Sequence, residues 1–341
     1  MQSCKLSVLF LLICSTSILG LDSESLIKGK FFQNLSEYGF FTDLKNQIPA
    51  TEVLPYQLNS QLFSDYTDKQ RFIYVPENSK FRFEKDRVFQ FPVGTTLIKT
   101  FSFQNTTSDL KPQLLETRLL IHTNNGWEAI GYIWNNEQTD AELSLVGKTI
   151  QTTFSKSNGE LISIRYRAPN KNQCKECHQL NDAITPIGPK ARNMNLVMQY
   201  NRENMNQLEK WAELGWIERD LIYRKMVNYS DNSNTVEDRA RGYLDINCAH
   251  CHIQGGSADT TGLYLTLEEN NPKHLGFFKK PVATGNGSFN LSYSIVPGKP
   301  EESILLSRMH SLEPGIMMPE SGRILRDVEG IKIVRDWITS L

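Results

Sequence analysis

Cysteine is scarce in this chain: six residues among 341, matched by six histidines. That scarcity excludes a small fold stapled by many disulfides. Charge of one sign is lacking as well. Lys plus Arg number 37 against 38 for Asp plus Glu, and no basic stripe appears, which argues against nucleic acid as a partner. Beyond residue 20 no apolar run is long enough to span a bilayer, so no transmembrane segment is expected. No Ser/His/Asp or Cys/His nucleophile constellation stands out. The glycine-rich stretch at 255–300 contains no Gly-Lys-Ser/Thr phosphate pattern. With an ordinary aromatic content, this is globular material long enough for two or three domains.

What is present begins with the leader "MQSCKLSVLFLLICSTSILG". Lys5 supplies a positive start, Leu6 to Ile13 an apolar run, and Ser15 to Gly20 a stretch suited to cleavage. Residues 1–20 therefore read as an export signal, too short to span a membrane, and the mature chain is expected in the periplasm. A lipid anchor through Cys14 is the lesser alternative, because Ile13 is bulky where acylation sites want a small residue. Cleavage would remove Cys4 and Cys14 and leave four cysteines, 174, 177, 248 and 251. All four lie in two short motifs, where thiols serve attachment rather than stapling.

Residues 21–60 are mixed. From about 61 to 168, nine β-branched or aromatic runs follow, among them "RFIYV", "TLIKTFSF", "LLETRLLIHT", "GWEAIGYIW" and "LISIRYRA". Several alternate with period two, and turn clusters such as "PENS", "NTTSD" and "KSNG" separate them. This pattern predicts an antiparallel β-sandwich or barrel-like domain over 21–168. After Arg167 the periodicity becomes helical. "NRENMNQLEKWAEL" carries Met205, Leu208, Trp211 and Leu214 as a stripe. "TVEDRARGYLDIN" opens with Thr235 and Asp238 in capping-box positions, and "DVEGIKIVRDWITSL" aligns Val328, Ile331, Val334 and Ile338.

The two motifs are "NQCKECHQLN" at 172–181 and "INCAHCHIQ" at 246–254. At this cysteine and histidine content one Cys-x-x-Cys-His is expected by chance in about two chains per thousand, so two copies are not accidental. The spacing suits two thioethers to the vinyl groups of one porphyrin edge, with the next histidine placed to ligate the iron. One zinc held by both Cys-x-x-Cys pairs would leave the trailing histidines unexplained. A thioredoxin-like pair lacks its βαβ setting, and two surface disulfides would be cramped. The expectation is two covalently bound haem c groups, on Cys174 and Cys177 and on Cys248 and Cys251, with His178 and His252 as proximal ligands. His250, between the second pair of cysteines, is expected to point away from the iron, exposed or near a propionate.

A distal ligand for the second haem stands in "GIMMPESGR", where Met318 precedes a proline that stiffens the loop; Met317 is its rival. For the first haem, Met194, Met198, Met205, Met226 and His122 compete. Met226, in the place of a distal loop after the helical stretch, is preferred.

"TVEDRARGYLDINCAHCH" together with "MMPESGR…IVRDWI" resembles a class I cytochrome c. The resemblance implies a helix delivering Cys248, Cys251 and His252, a Met-Pro loop presenting Met318, and a C-terminal helix crossing the first. It also implies a proline whose carbonyl orients the proximal imidazole. Pro189 in "PIGPKARN" fits that role at the first site, and the second has no counterpart before Pro272. The mature chain as a whole is similar to a family of exported bacterial di-haem c-type cytochromes with an N-terminal β-rich region. "LNSQLFSDYTDKQRFIYVP", "ETRLLIHTNNGWEAIGYIWNNEQTDAEL" and "PIGPKARN" carry that likeness alongside both motifs. The expectation is a multidomain α+β protein: the β domain, then two small all-α cytochrome c-like haem domains over 169–233 and 234–341. Its function would be single-electron transfer between redox proteins, a periplasmic dehydrogenase among the candidate partners. The alternative is a haem enzyme, peroxidase-like or part of such a dehydrogenase, with one open haem.

Overall fold

The computed structural model describes residues 21–104, 112–156, 158–200, 202–219, 224–282 and 284–341. The export signal expected over 1–20, with Cys14, and the turn cluster at 105–109 lie outside the described residues.

A one-turn helix α1 (Ser23–Lys28) and a small hairpin, β1 (Phe41–Asp43) with β2 (Ile48–Pro49), precede the main sheet. That sheet is antiparallel and six-stranded. Its strands, in sequence and in space, are β3 (Val53–Pro55), β4 (Asp68–Tyr74), β5 (Thr96–Phe103), β6 (Gln113–Thr123), β7 (Gly126–Trp134) and β8 (Ala141–Leu143). Alternation sends Phe72, Tyr74, Ile98, Leu119, Ile121, Ile130 and Tyr132 to one face, where Leu26, Leu35, Tyr38 and Phe40 of the N-terminal segment cover them. A second hairpin, β9 (Lys148–Ser155) with β10 (Leu161–Ala168), packs Phe154, Ile164 and Tyr166 onto Phe103, Leu115 and Ile133.

The opposite face of the sheet is covered by residues C-terminal to the β region. Ile73, Val75 and Leu97 form one cluster with Phe81, Phe89, Ala191, Met194, Leu208 and the fully buried Trp211. This segment holds α2 (Lys171–His178), the hairpins β11 (Gln179–Leu180) with β12 (Ala183–Ile184) and β13 (Val197–Tyr200) with β14 (Glu203–Asn206), and the helices α3 (Ala191–Met194) and α4 (Gln207–Glu213). After it come α5 (Val236–Asn247), α6 (Ile304–His310) and α7 (Val328–Ser340), which pack around Tyr243, Leu244, Leu306, Val334 and Trp337.

The expected division into a β-sandwich or barrel and two small all-α haem domains is therefore corrected. Among the described residues strand (27%) outweighs helix (23%), and the large sheet is open, neither closed into a barrel nor paired with a second full sheet. Among the described residues of 169–233 there is no separate helical core, because the apolar side chains are spent on the sheet. The stripe through Met205 and Leu214 fails for the same reason: Met205 lies in β14 opposite Met198, and Leu214 is 44% exposed. The other two helices match expectation more closely. Thr235 caps α5 by accepting from the Asp238 amide at 3.1 Å, and α7 buries Ile331, Val334 and Ile338 but leaves Val328 exposed.

Candidate functional site

The loop at 57–66, within "LNSQLFSDYTDKQRFIYVP", ties the two Cys-x-x-Cys-His segments to the sheet. The Ser60 amide donates to Asn193 Oδ1 (2.8 Å) and the Phe63 amide to Asn247 Oδ1 (2.7 Å). The Asp65 carboxylate accepts from the amides of Ile324 and Leu325. At Gly188 of "PIGPKARN" a Cβ would come within 2.7 Å of Leu58. Beyond it, Arg192 and Lys190 reach the fully buried carboxylate of Asp245 on α5, at 2.8 and 3.1 Å. Burial raises the Asp245 pKa, but those two cations outweigh it and hold the carboxyl below its usual range.

The first motif lies wholly inside α2, capped by Asn170 accepting from the Gln173 amide at 2.9 Å. The second follows α5 directly, its turn closed by the Cys251 and His252 amides donating to the Cys248 carbonyl. The motifs abut. Asn181 donates its amide to the Gly255 carbonyl (2.9 Å), and Ser257 Oγ donates to the Glu176 carbonyl (3.0 Å). Donor atoms of Cys177, His250 and Cys251 lie within 4.8 Å of one another. His250 is thus turned in between the two motifs, neither exposed nor free of contacts. All four cysteines are free thiols. The Cys251 thiol donates to the Glu176 carbonyl (3.4 Å); Cys177 lies beside Cys251 and His250, which hold it well below the usual thiol range, while Cys251 is raised. Burial pushes Cys174 up and Cys248 to about 12.

Both expected proximal histidines are neutral near pH 7, because burial pulls each down to about 4. His178 Nδ1 sits 2.8 Å from the Thr185 carbonyl. That contact selects the Nδ1–H tautomer and leaves Nε2 with its lone pair. The role expected of Pro189 therefore falls to Thr185, and the Pro189 carbonyl accepts from the Phe89 amide instead. At the second motif, which lacks the proline, the His252 ring is set against the Leu263 backbone and Thr261 Oγ1.

A cavity of about 230 Å³ is lined by Cys174, Cys177, His178 and His250 together with Met309, Met317, Met318 and Arg323. Arg323 holds the methionine loop by donating to the carbonyls of Met318 (2.8 Å) and Ser311 (3.0 Å). Met317 and Met318 share this wall with His178; His252 is outside it. Met226 is not brought to the cavity. It is 1% exposed, its amide donates to the Arg192 carbonyl, and its methyl packs on Gly242 of α5. Of the other first-site candidates, Met194 is core and Met198 lies in β13, while His122 stacks on Trp127.

Comparison with family models, with curated proteins and with solved structures returns no match. Among the described residues no helix is long and apolar enough to cross a membrane.

Three features were missed in the sequence. They are the hub loop at 57–66, the Asp245 ion cluster, and a row of cations, Arg71, Lys99 and Arg118, on the cavity side of the sheet. The hub loop had a signal in the family likeness; the other two depend on register and on long-range packing.

Proposed function

We propose that this chain is an exported, periplasmic di-haem c-type cytochrome, akin to the bacterial family named above, that passes single electrons between redox proteins. The observation that carries the reading is the abutment of two Cys-x-x-Cys-His motifs whose four thiols are free. His178, with Nδ1 engaged by Thr185 and the neutral form favoured by burial, has the donor chemistry that haem iron takes. The residues thus fit the group. Cys174 and Cys177 would hold one haem and Cys248 and Cys251 the other, with His178 and His252 as proximal ligands and Met318 as a thioether ligand. Bound haem supplies a one-electron iron couple. The chain's own part is to fix the imidazoles, keep them neutral and exclude water with the packed walls of the cavity. Attachment at two abutting motifs would give one chain two one-electron centres.

Two haems per mature chain, retained by the protein through acid–acetone extraction, are expected from pyridine haemochrome analysis and intact mass. One haem, or extractable haem, would sink the reading. Stoichiometric zinc without haem would transfer the site to Cys177, His250 and Cys251, whose donors are already clustered.

A further inference from the structure

We propose that the row Arg71–Lys99–Arg118 on the inner face of the sheet holds a pair of carboxylates, and that these are the propionates of the haem fixed by Cys174 and Cys177. The inference rests on the di-haem reading above.

The register makes the row. Arg71 pairs with Lys99 and Lys99 with Arg118, so three basic side chains stand side by side across β4, β5 and β6, and burial with its basic neighbours pulls Lys99 well below the usual lysine range. On the same face, one step along each strand, Ile73, Leu97 and Leu120 belong to one apolar cluster. Beyond the row in the other direction lie Phe103, Leu115 and Ile133 of another. The cations therefore occupy the strip left between two apolar clusters, and all three line the cavity shared with Cys174, Cys177 and His178.

Like charges directly opposite one another destabilise a sheet, and buried charge without a partner costs more. Two of the nearby acidic side chains are already engaged. Glu116 is bound in fork fashion by Arg118 and also accepts from the Tyr166 hydroxyl. Asp65 is turned to the amides of Ile324 and Leu325. Arg71 donates only to neutral groups, the Lys69 carbonyl and Gln61 Oε1, at 3.3 and 3.2 Å. Lys99 lies over the Phe101 ring. Among the described residues neither Arg71 nor Lys99 has a carboxylate in an ion pair. Such a row calls for a ligand carrying more than one negative charge on an apolar body. Tyr56, Leu58, Leu97 and Leu120 supply the apolar wall beside it. A haem joined to α2 has that character, and so has a free dicarboxylate with an apolar stem.

The test uses full-length holoprotein whose haem content has first been counted. Both midpoint potentials are measured by spectroelectrochemistry in the native protein, in Lys99→Met and in Lys99→Arg. Loss of the positive charge favours the ferric form, so Lys99→Met should lower one potential and leave the other in place, and Lys99→Arg should restore it. Thermal unfolding, with the retained haem count, is the folding control. Two retained haems with both potentials unmoved in Lys99→Met would overturn the inference while the di-haem reading stands. A native protein without haem would remove both. The free-ligand source is tested by adding succinate at constant ionic strength. A haem spectrum that responds in the native protein and not in Lys99→Met would show the row open to solute, and would overturn its assignment to propionates.

Discussion

The same pentapeptide pattern is presented in two different ways. The first copy sits within α2, a short helix with no fully buried residue, set against the edge of the sheet and tied to β7 by the Lys171–Glu128 ion pair at 2.8 Å. The second copy follows α5, whose last eight residues are all buried and which α7 crosses so closely that Gly330 leaves no room for a Cβ beside the Tyr243 ring. One motif leans on a framework of strands and charges, the other on helix packing. A covalent attachment motif needs only local geometry, so two unlike scaffolds can each supply it. What the scaffolds differ in is the environment they impose on whatever the motif holds. Polar and cationic groups line the cavity next to the first copy, whereas the helix leading to the second buries one face among apolar side chains of α6 and α7 and its Asp245 against Arg192 and Lys190.

The sharpest way to break the comparison is to cut what joins its halves. Asp245→Ala takes from Lys190 its carboxylate and leaves Arg192 only Glu268 and Asp86, and should cost about 3 kcal/mol in urea unfolding at neutral pH. Acid should mimic the variant. The folded Asp245 carboxyl is held below the ordinary aspartate value of 3.8, so its stabilisation is present above that value and disappears as pH falls through the lower, folded one. The gap between native protein and variant should therefore close at strongly acid pH. A gap that persists there would mean that the cations are stabilised by another partner.

That tie also explains what was legible. Strands such as Thr96–Phe103, Gly126–Trp134 and Leu161–Ala168 emerge where period two predicts them, because alternation is local. So do the start of α5 at Thr235 and most of the face of α7. The cysteines and histidines of both motifs were legible for the same reason. The error lay in what covers the sheet. Arg71, Lys99 and Arg118 look like an ordinary solvated face within their strands, and only pairing three strands places them together toward a cavity. Trp211 and Leu208 read as the core of a small helical domain because no window of sequence states that their partners are Phe81, Phe89 and Phe91. Met226 was chosen by its distance along the chain, a quantity that packing against Gly242 overrides.

Met226→Ala and Met318→Ala test the two halves against each other. Emptying the site of a nearly fully buried methionine should cost about 2–5 kcal/mol, yet Met226→Ala should leave carbon monoxide binding unchanged, since its side chain lies away from the cavity. Met318→Ala should cost less stability, open the sixth position of one haem to carbon monoxide and lower that haem's potential. Repeating it in a Cys174→Ser/Cys177→Ser background identifies the iron concerned. Carbon monoxide binding retained there assigns Met318 to the second haem, as the motif order suggests. Binding lost assigns it to His178, with which it shares a wall. Native protein that already binds carbon monoxide at one haem would mark that iron as open and bring the haem-enzyme alternative forward.

Gly330→Ala addresses the second copy alone. A methyl group there meets the Tyr243 ring at 2.2 Å, and a ring held between α5 and α7 has little freedom to retreat. Overpacking should cost about 1–3 kcal/mol and shift the second haem's potential, with the first unaffected because its motif rests on the sheet. Equal shifts at both haems would show that the α5–α7 crossing also positions α2.

The smallest expected effect separates the scaffolds most directly, because it applies one kind of change to both. Thr235 caps α5 and Asn170 caps α2, each accepting from a backbone amide three residues on. Loss of such a cap typically costs about 1 kcal/mol. In α5 the freed amides begin a helix that continues into the buried core, so fraying the first turn weakens contacts that global unfolding reads, and Thr235→Ala should show close to the full amount. In α2 no residue is fully buried, so its first turn can open locally with little loss of packing. Asn170→Ala should therefore change global stability by less than Thr235→Ala, while amide exchange across Lys171–His178 becomes faster. The signature is the inequality and its location. Equal global costs would mean that α2 is as much part of the cooperative unit as α5, with the first motif held by more than the sheet edge on which it lies.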